Sequence, residues 1–395
     1  VDQPVAVGLS GGGDSLALML LVRTWADAHG RQLLAFTVDH GLNPDSARWT
    51  AFAGEAAATA GVQWRALAWR GEKPTTGLPA AARSARQRLL AEAAREAGAC
   101  VILLGHTADD VAEGALMRER DAPALGGLRE WSPSPVWPEG RGVFLLRPLL
   151  QAGRAELRDW LTEHGRAWLD DPANEDPRFA RARARRRLRE APLPPPAVGN
   201  KEGIPREQAG TWRVTPDGRI VAERPLGARF VSAALLCAGG GETPPRGERL
   251  TRLVDRLAAG EVFTASLAGA RVTASPDEVT FGREAGERLR GGLAPVVLEP
   301  GRTVVWDGRY EVTAVEAGWR VEALAGRVGA LAKAERAWLK ALPPAARSAL
   351  PVLVSDRGVA LPQPFAQGPA VAKSLVRARL DAACGLLDKE DWRPS

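Results

Sequence analysis

At 395 residues, with 45% hydrophobic and 25% charged side chains, the chain has a globular composition and is too long for one compact core, so two or three domains are expected. No run of about eighteen apolar residues occurs, which argues against a membrane-spanning helix, and the start Val1-Asp2-Gln3-Pro4 has no basic segment leading into an apolar one, so no signal peptide is expected. Lys and Arg outnumber Asp and Glu by 53 to 47, a net charge of +6, while Cys100, Cys237 and Cys384 are too scattered for a metal site and predict a reducing, cytoplasmic setting.

The chain opens with an apolar strand over 5–9, then Ser10-Gly11-Gly12-Gly13-Asp14-Ser15, then a helix over 15–29. Three consecutive glycines let the backbone turn sharply and approach a ligand closely. The helix N-terminus behind them offers N–H groups and a positive dipole end to an anion, and Ser10 and Ser15 can add hydroxyl donors. Asp14 stands where a Walker A loop would carry Lys, and no third glycine completes a dinucleotide fingerprint. An acid inside an anion loop is explained by Mg²⁺ bridging to phosphates, which makes Asp14 a metal candidate.

A second strand over 33–38 runs into Val38-Asp39-His40-Gly41-Leu42, a neighbouring strand end suited to the nucleoside part of a nucleotide. A helix over 46–60, a strand over 62–69 and a long helix over 78–98 follow. The fourth strand, over 100–104, leads into Gly105-His106-Thr107-Ala108-Asp109-Asp110-Val111-Ala112-Glu113. Asp109 and Glu113 (i,i+4) and Asp110 and Glu113 (i,i+3) share helix faces. That acidic face could hold Mg²⁺ or a cationic amine, with Asp109 the second metal candidate and His106 placed for proton or phosphate chemistry. Thr107 as N-cap with acids in the first turn is the alternative account of the same residues. Strand–helix alternation predicts an α/β parallel sheet covered on both faces, with ligands at the carboxyl ends of its strands.

A Pro- and Trp-rich loop over 123–142 precedes a strand over 143–146 and a helix over 154–164. Then Arg178, Arg181, Arg183, Arg185, Arg186, Arg187 and Arg189 crowd twelve residues, a density that suits a polyanion or, alternatively, a solvated helix face. Proline-rich 192–196 ends this half. The second half reads as α+β: a helix over 247–258, hairpins over 263–281 and 296–315 with a tight turn at Asp307-Gly308, and a final helix pair flanking a strand over 350–361.

The order of these motifs resembles the tRNA(Ile)-lysidine synthetase family of PP-loop ATP pyrophosphatases. The resemblance is carried by Ser10 to Ser15, Val38 to Leu42, Ala82-Arg83-Ser84-Ala85-Arg86, Gly105 to Glu113, Arg147 to Leu150, and Trp168-Leu169-Asp170-Asp171-Pro172-Ala173-Asn174 leading into the arginines. It covers roughly residues 5 to 190. Thr107, Val111 and Gly114 depart from the family's usual second His, Gln and Thr, and Arg181-Ala182-Arg183-Ala184-Arg185 lacks its usual Asn.

The resemblance implies an adenine nucleotide α hydrolase-like PP-loop domain over 1–191, a linker over 192–205, and smaller α+β regions over 206–295 and 296–395 that bind tRNA. It also implies an ATP- and Mg²⁺-using ligase acting on tRNA(Ile) with a CAU anticodon and on free L-lysine. Ser10, Gly11, Gly12, Gly13, Asp14, Ser15, Val38, Asp39 and His40 would bind ATP. His106, Asp109, Asp110, Glu113, Arg181 and Arg185 would be catalytic, and Arg83, Arg86, Arg178, Arg183, Arg186 and Arg187 would meet tRNA. Another PP-loop tRNA-modifying or amide-forming enzyme, or a weakened tRNA-binding homologue, are the rival readings, and a homodimer is left open.

Overall fold

The computed structural model describes residues 3–118, 138–141, 143–170, 180–190, 211–242, 244–290 and 292–383. Strands β1 (Val5–Gly8), β2 (Leu33–Asp39), β3 (Gln63–Ala68), β4 (Val101–Leu104) and β5 (Phe144–Leu146) form one parallel sheet, ordered β3-β2-β1-β4-β5. Alternate residues of each strand serve opposite cores, as the two-residue period dictates. Val5, Val7, Leu33 and Ala35 pack with α1 (Gly13–Ala28), α2 (Ser46–Thr59) and α5 (Arg154–Glu163). Ala6, Leu34, Phe36 and Ile102 face the other way, against Leu90, Ala91 and Ala94 of α3 (Leu78–Glu96). Strand order reverses between β1 and β4, so the crevice expected for a ligand opens where the glycine loop and His106 emerge.

The expected strands and helices of this half are all found, together with α4 (Ala108–Arg118) and the arginine-rich α6 (Ala180–Glu190). Of the loop over 123–142, residues 123–137 and 142 lie outside the described residues; so do Arg178, residues 171–174 and the linker over 192–205. Among the described residues no helix is long and apolar enough to cross a membrane.

The second half is α+β, built on antiparallel sheets. One, ordered β6-β7-β10-β9-β8, comprises Trp212–Val214, Ile220–Glu223, Glu278–Arg283, Ala270–Ala274 and Phe263–Leu267. It covers the helix Ala228–Gly239, which sequence reading did not anticipate. That helix is buried from Phe230 to Gly239, so it shows no amphipathic period to detect. Beyond it lie β11 (Val296–Val297), β12 (Thr303–Trp306), β13 (Tyr310–Ala314), β14 (Arg320–Ala323), β15 (Pro351–Ser355), β16 (Gly358–Ala360) and β17 (Ala370–Ser374).

The Asp307-Gly308 turn closes the β12–β13 hairpin with φ of 52° and 62°. Two expectations are corrected here. β11 pairs with β14, not within the 296–315 hairpin, and the strand expected over 350–361 is itself a hairpin, β15 with β16. The final helix Val376–Ala383 returns to the earlier core, where Val376, Leu380 and Ala383 pack with Phe230 and Leu235.

Candidate active site

The glycine loop is held open by its own serines. Ser15 Oγ donates to the Gly12 carbonyl at 2.9 Å and accepts the Ser10 N–H at 3.1 Å, with Ser10 Oγ 3.0 Å away. The hydroxyl of Ser15, expected to face a phosphate, is therefore engaged within the loop. Gly11 sits at φ +85°, a conformation that needs glycine. Leu169 N–H donates to the Gly11 carbonyl at 2.9 Å, and a Cβ on Gly13 would lie 3.4 Å from Trp168, so residues 168–169 lie across the loop. The first α1 bond is Leu16 N–H to the Gly12 carbonyl, which leaves the N–H groups of Gly13, Asp14 and Ser15 without intrahelical acceptors.

The fourth-strand motif meets this loop directly. A Cβ on Gly105 would sit 2.8 Å from the Asp14 carbonyl oxygen, so only glycine lets β4 end against α1. Next to it Thr107 is fully buried, and its N–H and Oγ1 both bond to Asp110 Oδ2, at 2.9 and 3.1 Å. Asp110 therefore does serve the α4 N-terminus, as half of a capping box.

Arg154, which no sequence motif pointed to, is the centre of the site. Its Nε donates to Asp14 Oδ2 at 3.0 Å, its Nη1 to Glu113 Oε1 at 3.1 Å, and its Nη2 lies 3.6 Å from Asp110 Oδ1. Its backbone N–H donates to Asp109 Oδ2 at 2.7 Å. Glu113, 1% exposed, also accepts from Arg185 Nε at 2.8 Å. Asp14, Asp109, Asp110 and Glu113 thus converge on one arginine. A signal was available, since Arg154 is the first residue of α5, where the helix dipole disfavours a cation.

Burial raises the Asp14 carboxyl above its ordinary range, an effect that Arg154 opposes. Arg154 is pushed up despite its own burial, because Asp14, Asp110 and Glu113 together outweigh the lost hydration. Asp14 Oδ1 is buried and accepts no hydrogen bond, which suits an oxygen that ligates a hard cation. Among the described residues no three His, Cys, Asp or Glu side chains group as a metal cage.

At the β2 end, Asp39 Oδ1 accepts the Gly41 N–H at 2.8 Å and fixes the turn beyond Val38. His40 lies edge-on to Trp69, and its Nδ1 is buried with no hydrogen-bond partner. Burial, then the charges of Arg86 and Lys73, hold His40 below its ordinary value, with Asp39 opposing. A depressed imidazole adds stability above the unfolded value of about 6.5, and that stability is lost as pH falls through the folded value. Melting temperature is expected to drop on acidification below about pH 6.5, and less steeply in His40→Gln. An identical slope in that variant would remove His40 as the cause.

Arg86 lies close enough to act on His40, whereas Arg83 is exposed on α3. On α6, Ala182 and Ala184 are buried, Arg185 is half-buried, and Arg183, Arg186 and Arg187 are exposed. The Arg181 side chain lies outside the described residues.

A family model, the PP-loop domain, matches residues 1–191. The chain is 51% identical over 394 residues to a tRNA(Ile)-lysidine synthase of Caulobacter vibrioides, covering 98% of this chain and 94% of that one. A tRNA(Ile)-lysidine synthase of Hyphomonas neptunium is 38% identical over 74% of this chain and 85% of its own. The same name is carried by a Rhizobium meliloti protein, 32% identical over 97% and 87% of the two chains.

Proposed function

The chain belongs to the tRNA(Ile)-lysidine synthase family and is an ATP-using ligase that forms lysidine on tRNA(Ile); from that premise we propose that both half-reactions run in the one crevice between the β1 and β4 ends. The observation that carries this is the convergence of the loop acid Asp14 and the α4 acids on Arg154. An adenylating loop and an amine-binding acid patch that share a guanidinium are one site.

In the first half-reaction the wobble cytidine's carbonyl oxygen at carbon 2 attacks the ATP α-phosphorus, and pyrophosphate leaves. The N–H groups at the α1 start are preorganised donors for that departing charge. Asp14, with Asp109 as the second candidate, would hold Mg²⁺, which when bound neutralises phosphate charge. In the second half-reaction the ε-amine of free lysine attacks carbon 2, and the oxygen leaves on AMP. Only the neutral amine is a nucleophile, so Asp110 and Glu113 orient the ammonium and take up its proton. Arg185, anchored on Glu113, places α6 beside this chemistry. Such work belongs in the cytoplasm, where tRNA is modified.

Incubation with tRNA(Ile) bearing CAU, ATP and labelled lysine, followed by nucleoside analysis, tests the reading. Labelled lysidine supports it; pyrophosphate release with a different product would assign the site to another PP-loop reaction.

The arginines on the outer face of α6 are proposed to meet tRNA phosphates. Replacing Arg183, Arg186 and Arg187 together by Ala is expected to weaken tRNA binding and flatten its salt dependence by about 0.7 to 0.9 per lost phosphate contact. The maximal rate at saturating tRNA should hold. Affinity measured at several salt concentrations decides; an unchanged slope leaves α6 as a solvated face.

A further inference from the structure

We propose that Arg147 fixes the tautomer of His106, so that this histidine works as a neutral Nε2–H donor to the nucleotide and not as a proton-giving acid. The inference rests on the adenylation chemistry proposed above and adds to it a residue that chemistry does not yet use.

The pairing follows from the sheet. β4 and β5 are parallel neighbours with Leu103 opposite Leu146, so the residues leaving their carboxyl ends emerge side by side. From β4 that is Gly105-His106, and from β5 it is Arg147. Arg147 is buried, 8% exposed, and its Nε lies 2.9 Å from His106 Nδ1.

A guanidinium has donors only and keeps its protons in proteins. The hydrogen in this bond therefore belongs to Arg147, and His106 Nδ1 is the acceptor. A ring that accepts at Nδ1 is neutral and carries its one proton on Nε2. Protonating Nδ1 would set one N–H against another and break the bond. A histidine held this way cannot hand over a proton and remain as it was. It can donate a hydrogen bond to a phosphoryl oxygen, as a neutral imidazole does when it polarises a substrate carbonyl. Arg147 is thus a positioning residue, acting on the nucleotide only through His106.

The first measurement needs no variant of Arg147. With four histidines in the chain, nitrogen NMR of the whole protein, assigned with His106→Gln, reads the His106 ring directly. It should show a protonated Nε2 and a bare Nδ1; a protonated Nδ1 or an even mixture of tautomers overturns the proposal.

The second compares Arg147→Met, which removes the donor, with Arg147→Lys, which keeps one. Arg147→Met should mix the tautomers and slow tRNA adenylation about 10- to 100-fold, the usual effect of losing an orienting partner. The loss should fall on the maximal rate more than on the tRNA requirement, and Arg147→Lys should recover most of it. In a His106→Gln background, whose amide is a donor without tautomers, Arg147→Met should cost little more. Lost adenylation with an unchanged tautomer, or an equal further loss when Arg147→Met is added to His106→Gln, would assign Arg147 a purely structural role. If the unmodified protein forms no adenylated tRNA, the proposed chemistry fails, while the tautomer reading is still decided by the spectrum.

Discussion

Asp14→Asn is expected to slow tRNA adenylation by about 10²- to 10³-fold or more, the scale of losing one transition-state electrostatic contact, with tRNA affinity unchanged within about twofold. The side chain is divided in purpose. Oδ2 accepts from Arg154 at 3.0 Å, and Oδ1 is buried with no hydrogen-bond partner. A buried carboxylate oxygen left without a donor is destabilising unless a ligand compensates. Burial also raises the carboxyl above its ordinary value, so the charged form is the one the fold disfavours. Replacing it with a neutral amide removes that penalty, while Arg154 keeps Asp110 and Glu113 as counter-ions. Melting temperature should therefore stay level or rise while chemistry is lost, the opposite of what a structural ion pair would show. The measurements are tRNA-dependent pyrophosphate release, tRNA affinity and thermal melting for one variant. Near-normal turnover would take Asp14 out of the mechanism, and a large fall in melting temperature would make it a structural partner of Arg154.

The site's position was legible in the sequence because its signals are local. A glycine triplet between a strand and a helix, and an acid-rich helix start after another strand, need no tertiary information to be placed at one sheet edge. Their connection was not legible. Arg154 and Arg185 bond to Glu113 across 41 and 72 residues of chain, and no period or spacing encodes such a partner. The resemblance names Arg185 as catalytic and its place among seven arginines suggests a polyanion contact, and neither reading points to Glu113. Ala182, buried three residues before it on α6, shares its face, so Arg185 turns inward. α6 packs against α4, and a half-buried guanidinium there must find a carboxylate. In the second half, the helix over 228–239 escaped notice for the opposite reason, since full burial erases the amphipathic pattern that sequence reading depends on.

Glu113→Gln is expected to separate the two half-reactions, and to do so at a visible cost in stability. Glu113 is 1% exposed, and one oxygen accepts from Arg154 at 3.1 Å and from Arg185 at 2.8 Å. An amide of the same shape retains a carbonyl acceptor but removes the charge that offsets two guanidiniums. Unpairing a buried ion in this way costs about 3 kcal/mol, part of it through looser docking of α6 on α4. Function should suffer unevenly. In the proposed mechanism adenylation depends on the loop, on Asp14 and on an Arg154 still held by Asp14 and Asp110. Lysine transfer, in the proposed mechanism, depends on the α4 acids to orient the incoming ammonium, and of these Glu113 is the one bonded to α6. The variant should therefore accumulate adenylated tRNA, require more lysine and form lysidine slowly. Labelled ATP follows the first step and labelled lysine the second. Arg185→Gln serves as the control for docking, because it loosens α6 while leaving the Glu113 charge in place. If Glu113→Gln and Arg185→Gln slow both steps equally, Glu113 acts as a structural anchor, and the amine must be oriented by Asp110 alone. If adenylation falls further than lysine transfer, Glu113 acts on the nucleotide through Arg154 and Asp14, and the assignment of the acid patch to the second half-reaction is wrong.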